Sequence, residues 1–252
     1  MSQDESKPVL PPEPMPEPAR RALLRQAACV ASAWAASGVP PAFAAADPTP
    51  QAHGRTLLVD AFGSPLLASR LAMGEPYVFN YPFDSTPVFL IALRERAESV
   101  ALATEAQQRY EAPAGVGPRR AIVAFSAICA HKLMYPTPQI SFIGFRKGSG
   151  GEPSQVIHCC GDDSRYDPQH GARVLAGPAP QPLAAVLLEW EPKSDRLHAA
   201  GTLGGEMFKA FFEKYALKLE MDHGAKARTR VGGSSVARPA SEFSRQWQTC
   251  RP

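Results

Sequence analysis

Two cysteine-containing loops, at the two ends of the segment 126–183, most strongly constrain what this chain can form. The first loop carries Cys129-Ala-His131, and the second begins with His158-Cys-Cys-Gly and continues with two aspartates. A thiolate and an imidazole separated by one residue can face the same ion from one loop. A second loop that returns with another thiolate would complete a mixed Cys/His site. Zinc and certain iron–sulfur clusters accept such mixed ligation.

The residues that follow the loops favour an iron–sulfur cluster. Cys129-Ala-His131 is followed by Cys160-Gly-Asp-Asp163, then by Ser164-Arg-Tyr166-Asp, and finally by Gly177-Pro-Ala-Pro-Gln-Pro-Leu. This succession resembles the motif pattern of the Rieske 2Fe-2S protein family. Over roughly residues 55–200 the chain is similar to the small exported subunits of that family. These include the small subunit of arsenite-oxidase-like molybdenum enzymes and respiratory Rieske proteins.

The resemblance implies a set of metal ligands with one departure. The four positions that match the family's ligands are Cys129, His131, Cys160 and Asp163. The family has a histidine at the last of them. Three outcomes stay open: Asp163 ligates iron through oxygen, His158 or His170 takes its place, or the site holds no cluster. A carboxylate ligand would add negative charge and lower the reduction potential.

Two hydroxyl-bearing residues also match the family. The resemblance implies that Ser164 and Tyr166 donate hydrogen bonds to the sulfur atoms of the cluster and thereby raise its potential. The alternative is that both residues only stabilise a turn or pack against neighbouring side chains. Zinc bound by the same four donors is a further hypothesis, and so is an acidic turn that no longer binds metal.

Residues 1–44 are predicted to be an export signal or an anchor. Arg20-Arg21 is a twin-arginine dipeptide, and an Ala-rich apolar run and small residues near Ala44 follow it. Such a signal fits export of a folded protein that already carries its cofactor. The expected location is the periplasm, with membrane contact through an uncleaved segment as the alternative. A structural amphipathic helix with an incidental Arg-Arg pair is the other hypothesis.

The rest of the chain, 45–252, is predicted to be one all-β domain. The 26 prolines and 19 glycines are dispersed between short apolar or alternating runs, as in proteins of many short strands. We expect a Rieske-type antiparallel β-sandwich or barrel, with a small cluster-binding β subdomain over about 126–183. The predicted strands span 55–60, 77–80, 88–93, 121–125, 140–145, 155–158, 185–189 and 197–200.

Three segments interrupt this pattern. Residues 98–110 are predicted to be a short helix or an insertion loop. Residues 206–218 are predicted to form a helix, because Phe208, Phe211, Phe212 and Tyr215 recur at helical spacing. The resulting aromatic face is expected to be core. Residues 224–252 are expected to be an extended arm that either wraps the domain or reaches a partner.

The remaining cysteines suggest a disulfide. Quinol-oxidising Rieske proteins carry a disulfide between the two cluster loops, but the matching position in the first loop here is Met134. That bridge therefore cannot form, which leaves Cys159 and Cys250 without an assigned role. Since an oxidising compartment favours pairing of spare thiols, a Cys159–Cys250 disulfide is one hypothesis. A stray surface thiol at Cys250 is the other.

The resemblance implies an electron-transfer subunit rather than a complete enzyme. It would pass single electrons between a molybdenum-oxidoreductase-like or quinol-oxidising partner and a periplasmic c-type cytochrome. The alternative is an accessory subunit that has lost its cluster or binds another metal. The net charge of +3 and the lack of a basic stripe argue against nucleic acid as a partner.

Overall fold

The structure, a computed structural model, describes residues 49–146 and 153–250. The predicted export segment 1–44 lies outside these residues. The strands of the described part are, in chain order, β1 (Gln51–Val59), β2 (Pro76–Asn80), β3 (Pro87–Ala92), β4 (Val100–Ala103), β5 (Arg109–Ala112), β6 (Ile122–Ser126), β7 (Ile143–Arg146), β8 (Val156–Cys159), β9 (Ser164–Asp167), β10 (Arg173–Ala176), β11 (Ala185–Glu191), β12 (Arg196–Leu203), β13 (Ser234–Val236) and β14 (Arg238–Pro239). The predicted all-β class is confirmed.

The helices of the described part are short. They are α1 (Phe208–Lys214), α2 (Ala216–His223) and α3 (Ala240–Phe243), with 3-10 turns at Ala68–Arg70, Pro168–His170 and Gly224–Lys226. Among the residues that the structure describes, no helix is both long and apolar enough to span a bilayer.

The largest sheet is nearly closed into a barrel. Its eight strands lie in the order β13-β1-β12-β11-β6-β3-β2-β14. The outermost strands, β13 and β14, pair with β1 and β2 respectively and are separated in the chain by Ala237 alone. The two edges of the sheet are therefore held beside each other by one continuous segment, which leaves little edge open to unwanted pairing.

The core lies on both faces of this sheet, and β3 shows why. Successive side chains of a strand point to opposite faces. Val88 and Leu90 pack into the cluster that contains Leu58 and Leu197. Phe89 and Ile91 pack on the other face, in a cluster that also contains both free cysteines of the described chain. Because both faces are covered, β3 is apolar throughout rather than alternating.

A second sheet carries the second cysteine loop. Its four strands lie in the order β10-β9-β8-β7, and each neighbouring pair is antiparallel. Ile143 and Ile157 of this sheet join the same core cluster as Phe89 of the barrel. The shared apolar cluster positions this small sheet against the barrel, and with it the loop between β8 and β9.

The segment 98–110 differs from its prediction. It is the first part of a hairpin, β4–β5, in which Val100 lies opposite Ala112 and Leu102 lies opposite Tyr110. Alternation at period two places these four side chains on one face, where Tyr110 and Ala112 are buried against Leu203. The Ala, Glu and Gln residues that suggested a helix are overridden by this packing.

The predicted aromatic helix is present as α1 and α2. Phe208, Phe211 and Phe212 are buried, so the prediction that this face is core is confirmed. Their cluster includes Ile128 and Leu133, which flank the first cysteine loop. The aromatic helix is therefore the support on which the first loop rests.

The described part of the C-terminal arm wraps the domain, the first of the two predicted alternatives. Beyond β14, the indole nitrogen of Trp247 donates to the Ala240 carbonyl, 2.9 Å away. The backbone of Gln248 donates to the Ser141 carbonyl, 2.8 Å away. The arm thus passes beside β7 and ends near the second cysteine loop.

Candidate metal centre

The first loop presents Cys129 from a tight turn after β6. The Cys129 backbone N–H donates to the Met134 carbonyl at 2.8 Å, and the Leu133 N–H donates back to the Cys129 carbonyl at 3.0 Å. Leu133 has a left-handed backbone with φ of 59°. These bonds close residues 129–134 into a compact turn, so that His131 lies at its tip with its side chain 39% exposed.

The second loop is the turn 160–163 of the β8–β9 hairpin. Cys159 and Ser164 lie opposite each other as the last pair before the turn. Asp162 caps it, because one carboxylate oxygen accepts the Ser164 backbone N–H at 3.0 Å. Asp163 turns the chain with a left-handed φ of 61°. This geometry directs Asp162 inward and leaves Asp163 outside.

The two loops bring four potential ligands together. The sulfur atoms of Cys129 and Cys159 and a carboxylate oxygen of Asp162 all lie within 4.8 Å of one another. The Cys129 thiol donates to Asp162 Oδ2 at 3.2 Å, and His131 Nδ1 lies 3.0 Å from the same oxygen. Both thiols are fully buried, and the Asp162 side chain is 1% exposed. Two soft sulfur donors, an imidazole and a carboxylate are a chemically suitable set for zinc or iron.

The surroundings make the Cys129 thiol more acidic than an ordinary cysteine. Its pKa is lowered to about 7, chiefly by the hydrogen bond from Cys159, with help from Tyr166 and the N–H groups of His131 and Lys132, against the effect of burial. The pKa of Cys159 is raised, because its thiol is the donor in that bond and is also buried. Cys129 is therefore the first of the two thiols to lose its proton.

The carboxyl group of Asp162 is held ionised. Burial alone would raise its pKa, but the Ser164 N–H and the two cysteine thiols outweigh burial and lower it. Metal ligands must be deprotonated, so the ionised Asp162 carboxylate is ready to bind a cation, and Cys129 is the thiol that gives up its proton more readily.

Tyr166 and Ser164 adjoin the cluster of donors. The Tyr166 hydroxyl lies 3.4 Å from the Cys129 sulfur and accepts the Ala130 backbone N–H at 3.2 Å. The Ser164 hydroxyl is buried and makes no well-aligned hydrogen bond among the described residues, although it lies close enough to the Asp162 carboxylate to help lower its pKa. A buried hydroxyl without a well-aligned acceptor is costly, and a group bound at the neighbouring donor atoms would supply one.

The disulfide differs from its prediction. Cys160, not Cys159, is bonded to Cys250, so the Cys159–Cys250 hypothesis is wrong. As a consequence, the Cys160 sulfur is not a free thiolate, and the thiol that faces Cys129 is that of Cys159. The physical reason is strand alternation. Cys159 ends β8 on the same inward face as Ile157, and the next residue points away toward the arm.

Asp163 lies outside the donor cluster. Its side chain is 60% exposed and contacts His158 Nε2 at 2.5 Å and Arg165 at 3.1 Å. His170 is likewise occupied elsewhere, since its Nδ1 lies 2.7 Å from the buried carboxylate of Asp167. The structure thus gathers Cys129 and His131 from the predicted set, and Cys159 and Asp162 in place of Cys160 and Asp163.

One sequence signal could have identified Cys159. The segment holds two overlapping Cys-x-x-Asp spacings, Cys159 to Asp162 and Cys160 to Asp163. Counting back from Cys159 at period two leads to Ile157, a residue expected in the core, whereas counting back from Cys160 leads to His158. The apolar alternation therefore favours the earlier spacing.

Met134 contacts the second loop, at the position where the resemblance to quinol-oxidising Rieske proteins would place a cysteine of a disulfide. Its side chain packs over Gly161: a Cβ at that glycine would lie 3.1 Å from the Met134 Cγ. The second loop is tied instead to the arm through the Cys160–Cys250 disulfide. Packing on one side and a covalent bond on the other therefore hold this loop.

Replacement of Gly177 by alanine is expected to disturb the second loop. Gly177 has φ of +86°, and an added Cβ would come 2.5 Å from the Asp163 carbonyl oxygen and from Ser164 Cα. We expect Gly177→Ala to lower the free energy of unfolding by roughly 1–3 kcal/mol and to weaken metal binding. Urea denaturation and a metal titration measure these two effects.

Gly63 offers a matched control for this change. It has a similar φ of +82°, but no atom lies within 4 Å of the position of an added Cβ. Gly63→Ala should therefore cost about 1 kcal/mol and leave metal binding intact. Equal losses in the two variants would show that the contact with the loop is unimportant.

We compared the chain with protein-family models and with solved structures. No family model matches the sequence. Among solved structures, the chain is similar to the soluble domain of Rieske protein II from Sulfolobus acidocaldarius. The sequence identity is 24%, the similarity covers 61% of this chain and 82% of that chain, and the TM-score is 0.43. Residue roles cannot be transferred at this level, so the assignment of ligands follows from this chain's own geometry.

Proposed function

We propose that this protein is a Rieske-type electron-transfer domain whose 2Fe-2S cluster is held by Cys129, His131, Cys159 and Asp162. The observation that carries the proposal is the convergence of the donor atoms of Cys129, Cys159 and Asp162 within 4.8 Å, with the His131 ring beside them. The motif resemblance supports it, because the Cys-x-His and Cys-x-x-(His) spacings are met when the second begins at Cys159.

The residues present fit such a group. Two buried thiols suit one iron, and an imidazole and a carboxylate suit the other. The buried Ser164 hydroxyl would donate to a cluster sulfur, and the Tyr166 hydroxyl already lies beside the Cys129 sulfur. When bound, a 2Fe-2S cluster supplies one-electron redox chemistry and makes or breaks no substrate bond.

The chain's own residues divide the remaining tasks. His131 is partly exposed and marks the edge at which a redox partner would approach. The buried Cys129, Cys159 and Asp162 lie on the side toward the core, where water is excluded. The anionic Asp162 in place of a neutral imidazole would lower the potential relative to a site with two histidine ligands.

The proposed setting is an exported electron-transfer chain. The twin-arginine segment within 1–44 supports export to the periplasm, with or without a retained anchor. A larger redox subunit, of the molybdenum or quinol-oxidising type, would be one partner, and a c-type cytochrome the other. The disulfide between Cys160 and Cys250 suits an oxidising compartment.

The test is the metal content and spectrum of the natively exported protein. We expect two irons and two sulfides per chain and a Rieske-like EPR signal after reduction. A colourless protein without iron or sulfide would refute the proposal. The Asp162→His variant should have a higher potential, while Asp163→His, with the change one residue away, should not.

A single zinc ion is the second candidate. Donor atoms that lie about 2.0–2.3 Å from one ion are at most about 4.6 Å apart, which is close to the observed spacing. The set Cys129, His131, Cys159 and Asp162 would then make a four-coordinate structural site. Stoichiometric zinc with no inorganic sulfide would favour this candidate over the cluster.

Removal of the Ser164 hydroxyl should affect the two forms of the protein differently. In the metal-free protein, Ser164→Ala deletes a buried hydroxyl that has no well-aligned acceptor, so the free energy of unfolding should change by no more than about 1 kcal/mol. In the cluster-bound protein, it deletes a hydrogen bond to sulfur, so the midpoint potential should become more negative. Chemical denaturation and protein-film voltammetry measure the two effects. An unchanged potential would show that this hydroxyl does not contact the cluster.

A further inference from the structure

Two lysines lie beside the loops that hold the four candidate ligands. The Lys132 ammonium, from the first loop, donates to the Gly161 carbonyl of the second loop at 3.2 Å. The Lys214 ammonium, from the end of α1, donates to the Lys132 carbonyl at 2.5 Å. Lys132 therefore connects both loops, and Lys214 of the aromatic helix α1 hydrogen-bonds to its backbone carbonyl.

The centre beside these lysines is rich in negative charge. Cys129, Cys159 and Asp162 bring two thiolates and one carboxylate when they bind a metal, and only His131 is neutral. The next acidic residue along the loop, Asp163, is paired with Arg165 and His158. Its charge is thus already compensated on the outer side of the hairpin.

The position of Lys132 is important because three of the four candidate ligands are anionic when they bind a metal. An exposed lysine normally extends into water, since ordering its side chain costs conformational entropy. Here the ammonium contacts the carbonyl of the residue that directly precedes Asp162. A positive charge attached to this loop stabilises anionic ligands on it, and the hydrogen bond itself resists separation of the two loops.

We infer that Lys132 is a positioning residue of the metal centre: it joins the two ligand loops and offsets the negative charge that the Asp162 carboxylate brings to the site. The effect on reduction potential rests on the proposed cluster. The effect on metal affinity applies to any divalent cation at these ligands.

A cobalt titration of the metal-free protein tests the inference without a cluster. The full chain, with its disulfide intact and under anaerobic conditions, is titrated with Co²⁺ and followed by thiolate-to-cobalt absorption. We expect Lys132→Met to raise the dissociation constant roughly three- to tenfold at low salt, and the difference to shrink at high salt. Lys132→Arg keeps the charge and should bind as the wild type does.

Lys193 supplies the matched control. It lies in the turn between β11 and β12, away from both ligand loops, so Lys193→Met removes one surface charge without touching the site. If Lys132→Met bound cobalt as Lys193→Met does, the inference would be refuted. It would also fail if Lys132→Arg bound as weakly as Lys132→Met, or if the wild type bound no cobalt.

The reduction potential is a second readout that separates this inference from the proposed function. In protein with iron and sulfide, Lys132→Met should shift the midpoint potential to a more negative value, and Lys193→Met should not. An unchanged potential in Lys132→Met would overturn the role of Lys132 while leaving the cluster assignment intact. A wild type without iron and sulfide would overturn the cluster assignment, and the cobalt titration would still decide the role of the lysine.

Discussion

Cys159→Ser is expected to abolish metal binding, whereas Cys160→Ser should retain it. The Cys159 sulfur lies close to the Cys129 sulfur and to a carboxylate oxygen of Asp162, while the Cys160 sulfur is bonded to Cys250. Even outer-shell partners of a metal change its affinity by roughly 10–100-fold, so loss of a thiolate ligand should weaken metal affinity by at least that factor. Quantified iron, sulfide and zinc per chain measure the result.

The natural control for this comparison is Cys250→Ser. It breaks the same disulfide as Cys160→Ser but leaves residue 160 unchanged. If the assignment is right, the Cys160→Ser and Cys250→Ser proteins should hold equal amounts of metal. Loss of metal in Cys160→Ser alone would mean that Cys160 is the ligand and that the observed disulfide is not formed in the loaded protein.

Removal of the disulfide is expected to have the second largest effect, this time on stability. The bond closes a loop between residues 90 positions apart, which restricts the unfolded chain strongly. Cys250→Ser should lower the free energy of unfolding by roughly 2–5 kcal/mol. Guanidinium denaturation of the metal-free protein measures the loss, and dithiothreitol should cause a similar loss in the wild type.

The double variant tests whether this loss comes from the bond itself. Cys160 and Cys250 act as one unit, so Cys160→Ser with Cys250→Ser should cost no more than either change alone. Additive losses would instead show that each side chain contributes through its own packing. A Cys250→Ser protein as stable as the wild type would contradict the expected role of the arm as a covalently fixed part of the fold.

Secondary structure could be predicted from the sequence where apolar residues recur at a regular spacing. Short apolar runs bounded by Gly and Pro predicted eight strands, and all eight are present with shifted ends. The aromatic spacing of Phe208, Phe211 and Phe212 predicted a buried helix face because helical periodicity is a local property. The Cys-x-His motif likewise placed Cys129 and His131 on one loop, and the two residues share a turn.

Local signals were misleading where distant contacts decide the outcome. Residues 98–110 contain good helix formers, yet burial of Tyr110 against Leu203 makes them part of a hairpin. The closing of the barrel by β13 and β14 depends on pairing with β1 and β2, which begin far away in the chain. The residues of β13 and β14 show no periodic pattern that would indicate which distant strands they pair with.

From the sequence alone, two cysteine loops on a β scaffold could be predicted, and the resemblance to the Rieske family implied an aspartate at the position of a histidine ligand. Which cysteine and which aspartate point toward the other donors became clear from the packing of the folded chain. Both Cys-x-x-Asp spacings satisfy the motif, and they differ by one residue. Because adjacent residues of a strand point to opposite sides, packing of Ile157 into the core turns Cys159 inward. The same alternation turns Cys160 outward, to Cys250.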